Sequence, residues 1–168
     1  MLKKVLIQMC SILITDPNSP VPLFDFPVVH VPELVQWRPR LSGQNARQVL
    51  IVFQHAGEAV ALTTFLEKVL AAAKLDIQKD TFILTVRTEE TPSFIQLKQQ
   101  IDFQYFITFG IEPLRMGLAV AAPLYRPFVL DKVQLLFADD LQKIQAEREQ
   151  GGKQMSGELW RALKTLFL

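Results

Sequence analysis

Length, composition and charge narrow the class of this protein before any motif is considered. With 168 residues, 49% hydrophobic and 21% charged, the chain suits one domain with its own core and is too apolar for a disordered protein. The net charge of +1 excludes a strong overall attraction to nucleic acid or to an anionic membrane. The lone Cys10 excludes an internal disulfide and any four-cysteine metal site.

The first twenty residues, MLKKVLIQMCSILITDPNSP, resemble a signal peptide only superficially. They carry two lysines and a short apolar run, but they have no small-x-small cleavage site, and Gln8 interrupts the run. The interpretation favoured here is a buried first element of the mature protein. No apolar run in the chain approaches the ~20 residues that span a bilayer. We therefore expect a soluble, cytoplasmic protein that does not enter a membrane.

Residues 1–48 predict a proline-rich N-terminal extension, because six of the ten prolines lie between Pro17 and Pro39. Within it, the stretch QWRPR combines an aromatic side chain with two arginines. Trp37, Arg38 and Arg40 are therefore the candidate partner-binding residues. An alternative with equal support is a proline-rich connector whose Trp37 packs on the domain.

Strands and helices alternate from residue 49 onward. Val49–Phe53 is a continuous apolar run typical of a strand covered on both faces, and TFILTV from Thr81 predicts a second strand. Thr91 and Pro92 predict the cap and first residue of a helix, and FQYFITF predicts a third strand that ends at Gly110. Between the first two strands a helix is predicted from apolar residues at helical spacing, namely Leu62, Phe65, Leu66, Val69, Leu70 and Ala73.

The pattern changes after the third strand. Pro127–Leu130 and Val133–Ala138, joined by Asp131-Lys132, predict a hairpin. Asp139 or Asp140 is expected to begin a helix that Gly151-Gly152 interrupts, and a last helix is predicted over Glu158–Phe167. Together these elements predict a single α/β domain over residues 49–168. We expect a three-layer αβα sandwich around a mostly parallel sheet of four or five strands.

Candidate chemistry centres on QHAGE, the stretch that follows the first strand. His55 suits a general acid or base at the tip of the loop, although a polar residue beside Gly57 is also ordinary turn chemistry. Glu58 is explained by a favourable charge at a helix start. Asp139-Asp140 suits either a metal or acid/base pair or, more simply, an N-cap with a first-turn charge. His30 has no partner at metal-ligand spacing, and we expect neither a metal nor a cofactor.

In order and spacing, residues 49–168 resemble the uracil-DNA glycosylase superfamily. VLIVFQHAGE stands where that family has its first strand and a GEAPGxxE-type loop, and FLEKVLAAAKLD and TFILTVRTEETP follow as its next helix and strand do. FITFGIEPLRMGL, LYRPFVLDKVQLLFADDLQKI and ELWRALKTLF match the later strand, the hairpin with its following motif, and the last helix. The resemblance implies a glycosylase-like αβα sandwich.

The resemblance also implies an emptied active site. The family's uracil-reading asparagine falls at Thr85, and its histidine falls at Ala138, which has no proton to offer a leaving base. The loop that activates water is reduced to QHAGE, and the cluster cysteines are absent. The positions of the vestigial pocket are Gln54, His55, Gly57, Thr85, Gly110 and Ala138.

A retained scaffold with an emptied site is similar to the psi subunits of bacterial DNA polymerase III. That family has a glycosylase-like fold without the activity, and it docks on the clamp loader through an N-terminal extension. By this resemblance, residues 1–40 would bind a protein partner, such as clamp-loader or other replisome subunits, and contact with nucleic acid would be weak or indirect. The resemblance implies a non-enzymatic interaction subunit. The alternative is a divergent DNA glycosylase or nucleotide-processing enzyme that uses His55 and Glu58.

Overall fold

A six-stranded sheet forms the centre of the computed structural model, which describes residues 35–55, 57 and 59–168. The sheet is mixed. Four central strands are parallel, and one short antiparallel strand lies at each edge. The strands are β1 Leu41–Gly43, β2 Val49–His55, β3 Thr81–Arg87, β4 Tyr105–Phe109, β5 Phe128–Leu130 and β6 Val133–Ala138, in the spatial order β1-β3-β2-β4-β6-β5.

This sheet confirms the α/β class and corrects the predicted number of strands. The parallel strands β3, β2, β4 and β6 and the hairpin strand β5 are the five that the apolar runs predict, so β1 is the additional strand. The edge strands β1 and β5 are only three residues long, and each pairs antiparallel with one neighbour. The sheet is therefore wider than four or five strands.

Helices cover both faces of the sheet. Because the chain first crosses from β2 to β3 and then returns past β2 to β4, right-handed crossovers place the two connecting helices on opposite faces. Apolar side chains of α1 pack in one core and those of α2 in the other. The helices are α1 Ala59–Ala72, α2 Phe94–Gln100, α3 Leu141–Glu149 and α4 Gln154–Phe167, with short 3-10 turns at Arg38–Arg40 and Pro113–Met116.

Alternate residues of β2 supply the two cores. Val49, Ile51 and Phe53 face α1, α3 and α4, and the intervening Leu50 and Val52 face the other side. All five side chains are fully buried, as expected of a central parallel strand. The predicted stripe of α1 lies in the first core, and three phenylalanine rings pack against one another in the second, with centroids 5.3 to 5.9 Å apart: Phe94, Phe103 and Phe106.

The start of the packed domain differs from the predicted boundary at residue 49. Leu41–Gly43 pairs with β3, and Trp37 is only 3% exposed. Residues 35–48 therefore belong to the folded domain. The proline pattern conceals this, because prolines at strand edges and in 3-10 turns cost no hydrogen bond in the sheet.

The predicted helix boundaries need two corrections. Helix α2 begins at Phe94 with Ser93 as its N-cap, rather than at Pro92 with Thr91 as the cap. Helix α4 begins at Gln154, four residues before the predicted start at Glu158. The interruption at Gly151-Gly152 is confirmed, because α3 ends at Glu149.

The predicted hairpin and its following N-cap are confirmed. Asp131 and Lys132 both have positive φ angles, 49° and 66°, as a two-residue type I′ turn requires. Asp140 caps α3, since its Oδ1 accepts a hydrogen bond from the backbone N–H of Gln142 at 2.8 Å. The N-cap interpretation of Asp140 is therefore confirmed.

Several predictions fall on residues that the structure does not describe. These are the first apolar element, His30, most of the proline-rich extension and Glu58, which lie in residues 1–34 or at position 58. Among the described residues, no helix is long and apolar enough to span a bilayer.

Candidate functional site at the carboxyl edge of the sheet

The carboxyl ends of the parallel strands bring the predicted pocket residues to one edge of the sheet. Gln54 and His55 end β2, Gly110 follows β4, and Ala138 ends β6. The chain turns to opposite sides of β2 when it forms β3 and β4, so the topological switch point lies between β2 and β4. In open α/β sheets, ligands bind at this kind of position.

A hydrogen bond lies across the gap between β2 and β4 at the switch point. The side-chain Nε2 of Gln54 donates to the carbonyl oxygen of Gly110 at 2.6 Å. The Gly110 N–H in turn donates to the carbonyl oxygen of Ala138 at 3.0 Å. A ligand at the switch point would have to displace the Gln54 amide.

Gly110 is the residue that allows this close approach. Its φ angle is +74°, in the left-handed region that favours glycine. A Cβ at this position would lie 3.0 Å from Gln54 Nε2 and 3.2 Å from the Asp140 Cα. The glycine therefore allows the end of β4, the Gln54 amide and the start of α3 to meet.

Thr85 and Ala138, where the resemblance would place the uracil-reading asparagine and the leaving-base histidine of glycosylases, lie on separate strands. Thr85 pairs with Phe53 of β2, and Ala138 pairs with Phe109 of β4. Three strand spacings separate them, which amounts to about 14 Å. Ala138 is 3% exposed and packs in the core that contains α1. At this position the buried methyl group offers no hydrogen bond to a ligand.

His55 lies at the mouth of an open cavity of about 320 Å³. Its Nδ1 is 2.6 Å from the carbonyl oxygen of Gly57, which can only accept, so Nδ1 carries the proton of this hydrogen bond. The ring is thus held by the turn that follows β2. The ordinary turn interpretation of His55 is sufficient to explain this contact.

Arg87, Thr88 and Glu89, which no sequence motif singled out, also line this cavity. Arg87 is the last residue of β3 and stands opposite His55 in the parallel register. The sequence held a signal for Arg87, because a charged residue at the carboxyl end of a buried strand lies at the same edge of the sheet as His55. Thr88 is held through its carbonyl oxygen, which accepts from Arg115 at 2.8 Å.

The QWRPR stretch lies away from this edge cavity and packs on the domain. The Trp37 ring is buried in the core that contains α2. The Gln100 side chain accepts a hydrogen bond from the backbone N–H of Trp37 at 2.8 Å and donates one to the Val35 carbonyl oxygen at 3.0 Å. Trp37 therefore holds this stretch to the domain and is not available as an exposed binding anchor.

Arg40 completes the attachment. Its guanidinium donates two hydrogen bonds of 2.8 Å to the Glu90 carboxylate and a third, of 3.0 Å, to the Thr85 carbonyl oxygen. The hydrogen bonds from Arg40, together with one from the backbone N–H of Arg87, lower the pKa of Glu90 to about 2. The pair is therefore ionised throughout the neutral range. Of the three predicted partner-binding residues, Trp37 is buried, and Arg40 is exposed but paired with Glu90. Arg38 is exposed and makes no ion pair within the described part of the chain.

Asp139 and Asp140 have separate structural roles. Tyr125 Oη donates to Asp139 Oδ2 at 2.8 Å, and burial raises the pKa of the tyrosine. Asp140 caps α3 as described above. No group of three or more His, Cys, Asp or Glu side chains among the described residues could hold a metal ion.

No protein-family model matches the chain, and no curated protein matches it. The resemblance to glycosylases therefore rests on sequence motifs alone. What the structure adds is the α/β fold and the geometry of the carboxyl edge.

Proposed function

We propose that this protein is a non-catalytic interaction subunit of the bacterial replication machinery, similar to the psi subunits of DNA polymerase III. The observation that carries the proposal is the Gln54–Gly110 hydrogen bond across the switch point. A glycosylase must admit an extruded base, read its edge and stabilise the departing anion. At this edge, the Gln54 amide bridges the ends of β2 and β4, and a buried methyl group stands at Ala138.

The contacts of residues 35–43 with the domain narrow the proposed binding segment to the residues that precede them. Trp37 and the Arg40–Glu90 pair attach this stretch firmly to the domain. The segment that we call the N-terminal arm, residues 1–34, is apolar in sequence and rich in proline. Extended apolar segments can supply affinity through main-chain and aromatic contacts without a pocket. We propose the arm as the site for a clamp-loader or other replisome subunit.

A truncation tests this proposal. The full chain and a chain that begins at residue 35 are compared for binding to the clamp-loader complex of the same cell, by surface plasmon resonance. We expect the truncated chain to bind about 100-fold more weakly, a loss of about 2.7 kcal/mol. It should still unfold cooperatively in urea, because residues 35–168 lie within one compact unit.

The full chain with Arg38→Ala serves as the matched control. It keeps the arm and removes the exposed arginine of QWRPR, so it separates the contribution of Arg38 from that of residues 1–34. Equal binding by the full and truncated chains would contradict the role of the arm. Failure of the full chain to bind any clamp-loader subunit would contradict the proposed function itself.

A second candidate function is a divergent DNA glycosylase or nucleotide-processing enzyme. The observation that favours it is the cavity at the carboxyl edge, where His55 and Arg87 stand side by side. A cation next to an imidazole suits a phosphate or a departing base anion. Glu58, the other residue of this hypothesis, lies outside the described residues.

An excision assay separates the two candidates. Labelled duplexes that contain uracil or hypoxanthine are incubated with the full chain, and abasic sites are cleaved with alkali. Our expectation is that strand cleavage stays at the level of a protein-free blank, because the closed switch point does not admit a base. Excision that His55→Ala abolishes would establish the enzyme in place of the interaction subunit.

A further inference from the structure

A groove on the face opposite α2 lies between α1 and the turn that joins α3 to α4. Two neighbouring cavities of about 510 and 480 Å³ form it, and both are lined by Lys68 of α1 and Arg148 of α3. Lys153, at the start of α4, lines the larger one. We call this the basic groove, defined by Lys68, Arg148, Lys153 and Trp160.

The three cations of the basic groove lack acidic partners among the described residues. No ion pair within the described ranges involves Lys68, Arg148 or Lys153. Glu149 is the single carboxylate among the described residues that line the groove, and it accepts from Gln145. The neighbouring Glu147 is engaged elsewhere, since both of its oxygens accept from backbone N–H groups at the start of α4.

Apolar residues and three glycines also line the larger cavity of the groove. Trp160, which is 38% exposed, lines this cavity together with Val69 and Leu159. The space beside Gly157, on the first turns of α4, is open, because a Cβ built on this residue would meet no atom within 4 Å. Together, the exposed tryptophan and the space above Gly157 leave room for one apolar side chain.

We propose that the basic groove binds an acidic peptide segment that carries an apolar or aromatic side chain. The cations complement its carboxylates, and the apolar side chain lies over Gly157 against Trp160. The observations favour a peptide over single-stranded nucleic acid. A protein that binds single-stranded nucleic acid needs several aromatic platforms along a basic track, whereas this groove has one tryptophan and three cations among its lining residues. The proposal is independent of the replisome role proposed above.

Tryptophan fluorescence and anisotropy provide the test with the full chain. The probe is a fluorescein-labelled peptide of about ten residues, mostly aspartate with one central phenylalanine, and we expect a Kd on the order of 10 µM at low salt. The chain has two tryptophans, and Trp37 is buried, so a blue shift of emission on addition of unlabelled peptide reports on Trp160. The same peptide with asparagine in place of aspartate should bind about 10-fold more weakly.

Variants locate the site. Arg148→Glu and Lys68→Glu should each weaken binding by about 10-fold, whereas Lys143→Glu, an exposed lysine of α3 outside the groove, should leave it unchanged. Gly157→Leu is the sharpest variant, because it fills the groove and raises helix propensity at the same time. It should abolish binding in a protein that unfolds at a higher urea concentration than the parent.

Three outcomes would overturn the proposal. They are equal binding of the acidic and the asparagine peptide, binding that survives Gly157→Leu, and stronger binding of oligothymidylate than of the acidic peptide. The last of these would assign the groove to single-stranded DNA.

Discussion

Replacing Gly43 with alanine is expected to lower the free energy of unfolding by about 3 kcal/mol. Gly43 has a φ angle of +108°, and a Cβ built there would lie 2.1 Å from the Thr81 carbonyl oxygen. That oxygen belongs to the backbone of β3, so no side-chain rotation relieves the clash. Either the edge strand β1 detaches or β3 shifts. Urea unfolding followed by circular dichroism measures the loss.

Gly117→Ala separates the two causes. Gly117 also has a positive φ angle, +78°, but a Cβ there would meet nothing within 4 Å. Its substitution should therefore cost only the conformational strain, about 1 kcal/mol. If the two variants lost the same free energy, the close contact between β1 and β3 would not exist in solution.

The second large effect is expected for Trp37→Ala, which should lower the free energy of unfolding by about 3 kcal/mol. The indole is 3% exposed and packs among α2 and the apolar side chains of one sheet face. Its removal leaves a large cavity and weakens the attachment of residues 35–43. Trp37→Phe should cost much less, because the buried Trp37 Nε1 has no hydrogen-bond partner to lose.

Trp160→Ala is the matched control, since Trp160 is 38% exposed and its loss should change stability by less than about 1 kcal/mol. The comparison also decides between the two interpretations of QWRPR. If Trp37 were a binding anchor, the Trp37→Ala variant would keep the stability of the parent protein and lose only the binding of its partner. That result would restore the hot-spot interpretation.

Elements with strong local patterns were predictable from sequence. The apolar run of β2, the helical stripe of α1 and the glycine pair between α3 and α4 each specify their structure within a few neighbouring residues. The hairpin of β5 and β6 was also predictable, because a polar pair separates two apolar runs.

The missed elements depend on distant partners. The three residues of β1 carry no strand pattern, and they become a strand only because β3 pairs with them. Helix α2 begins at Phe94 in the structure, although Thr91 and Pro92 are a good local signal for an earlier start. Before it, Glu90 closes a turn onto the Arg87 N–H and binds Arg40, fifty residues away in the chain.

The place of the candidate site in the chain was predictable, but the hydrogen bond that closes it was not. The resemblance singled out Gln54, His55, Gly110 and Ala138, and the structure brings them to the carboxyl edge because each lies at or just after the end of a parallel strand. That Gln54 reaches across to Gly110 follows from the positive φ angle of the glycine and from the approach of Asp140, which a sequence pattern does not encode. The burial of Trp37 was likewise beyond local inference, because it depends on Gln100 and the α2 core.

The brevity of the two outer strands bears on self-association. A long, flat border of free N–H and C=O groups invites a second chain to add as a further strand, and growth of that kind ends in fibrils. Here β1 and β5 each offer only three residues, one ending at a glycine with a positive φ angle and the other at a tight turn. Edge strands this short offer an added strand too few backbone hydrogen bonds for stable pairing. The chain, although half hydrophobic, is therefore protected from polymerising through β1 or β5.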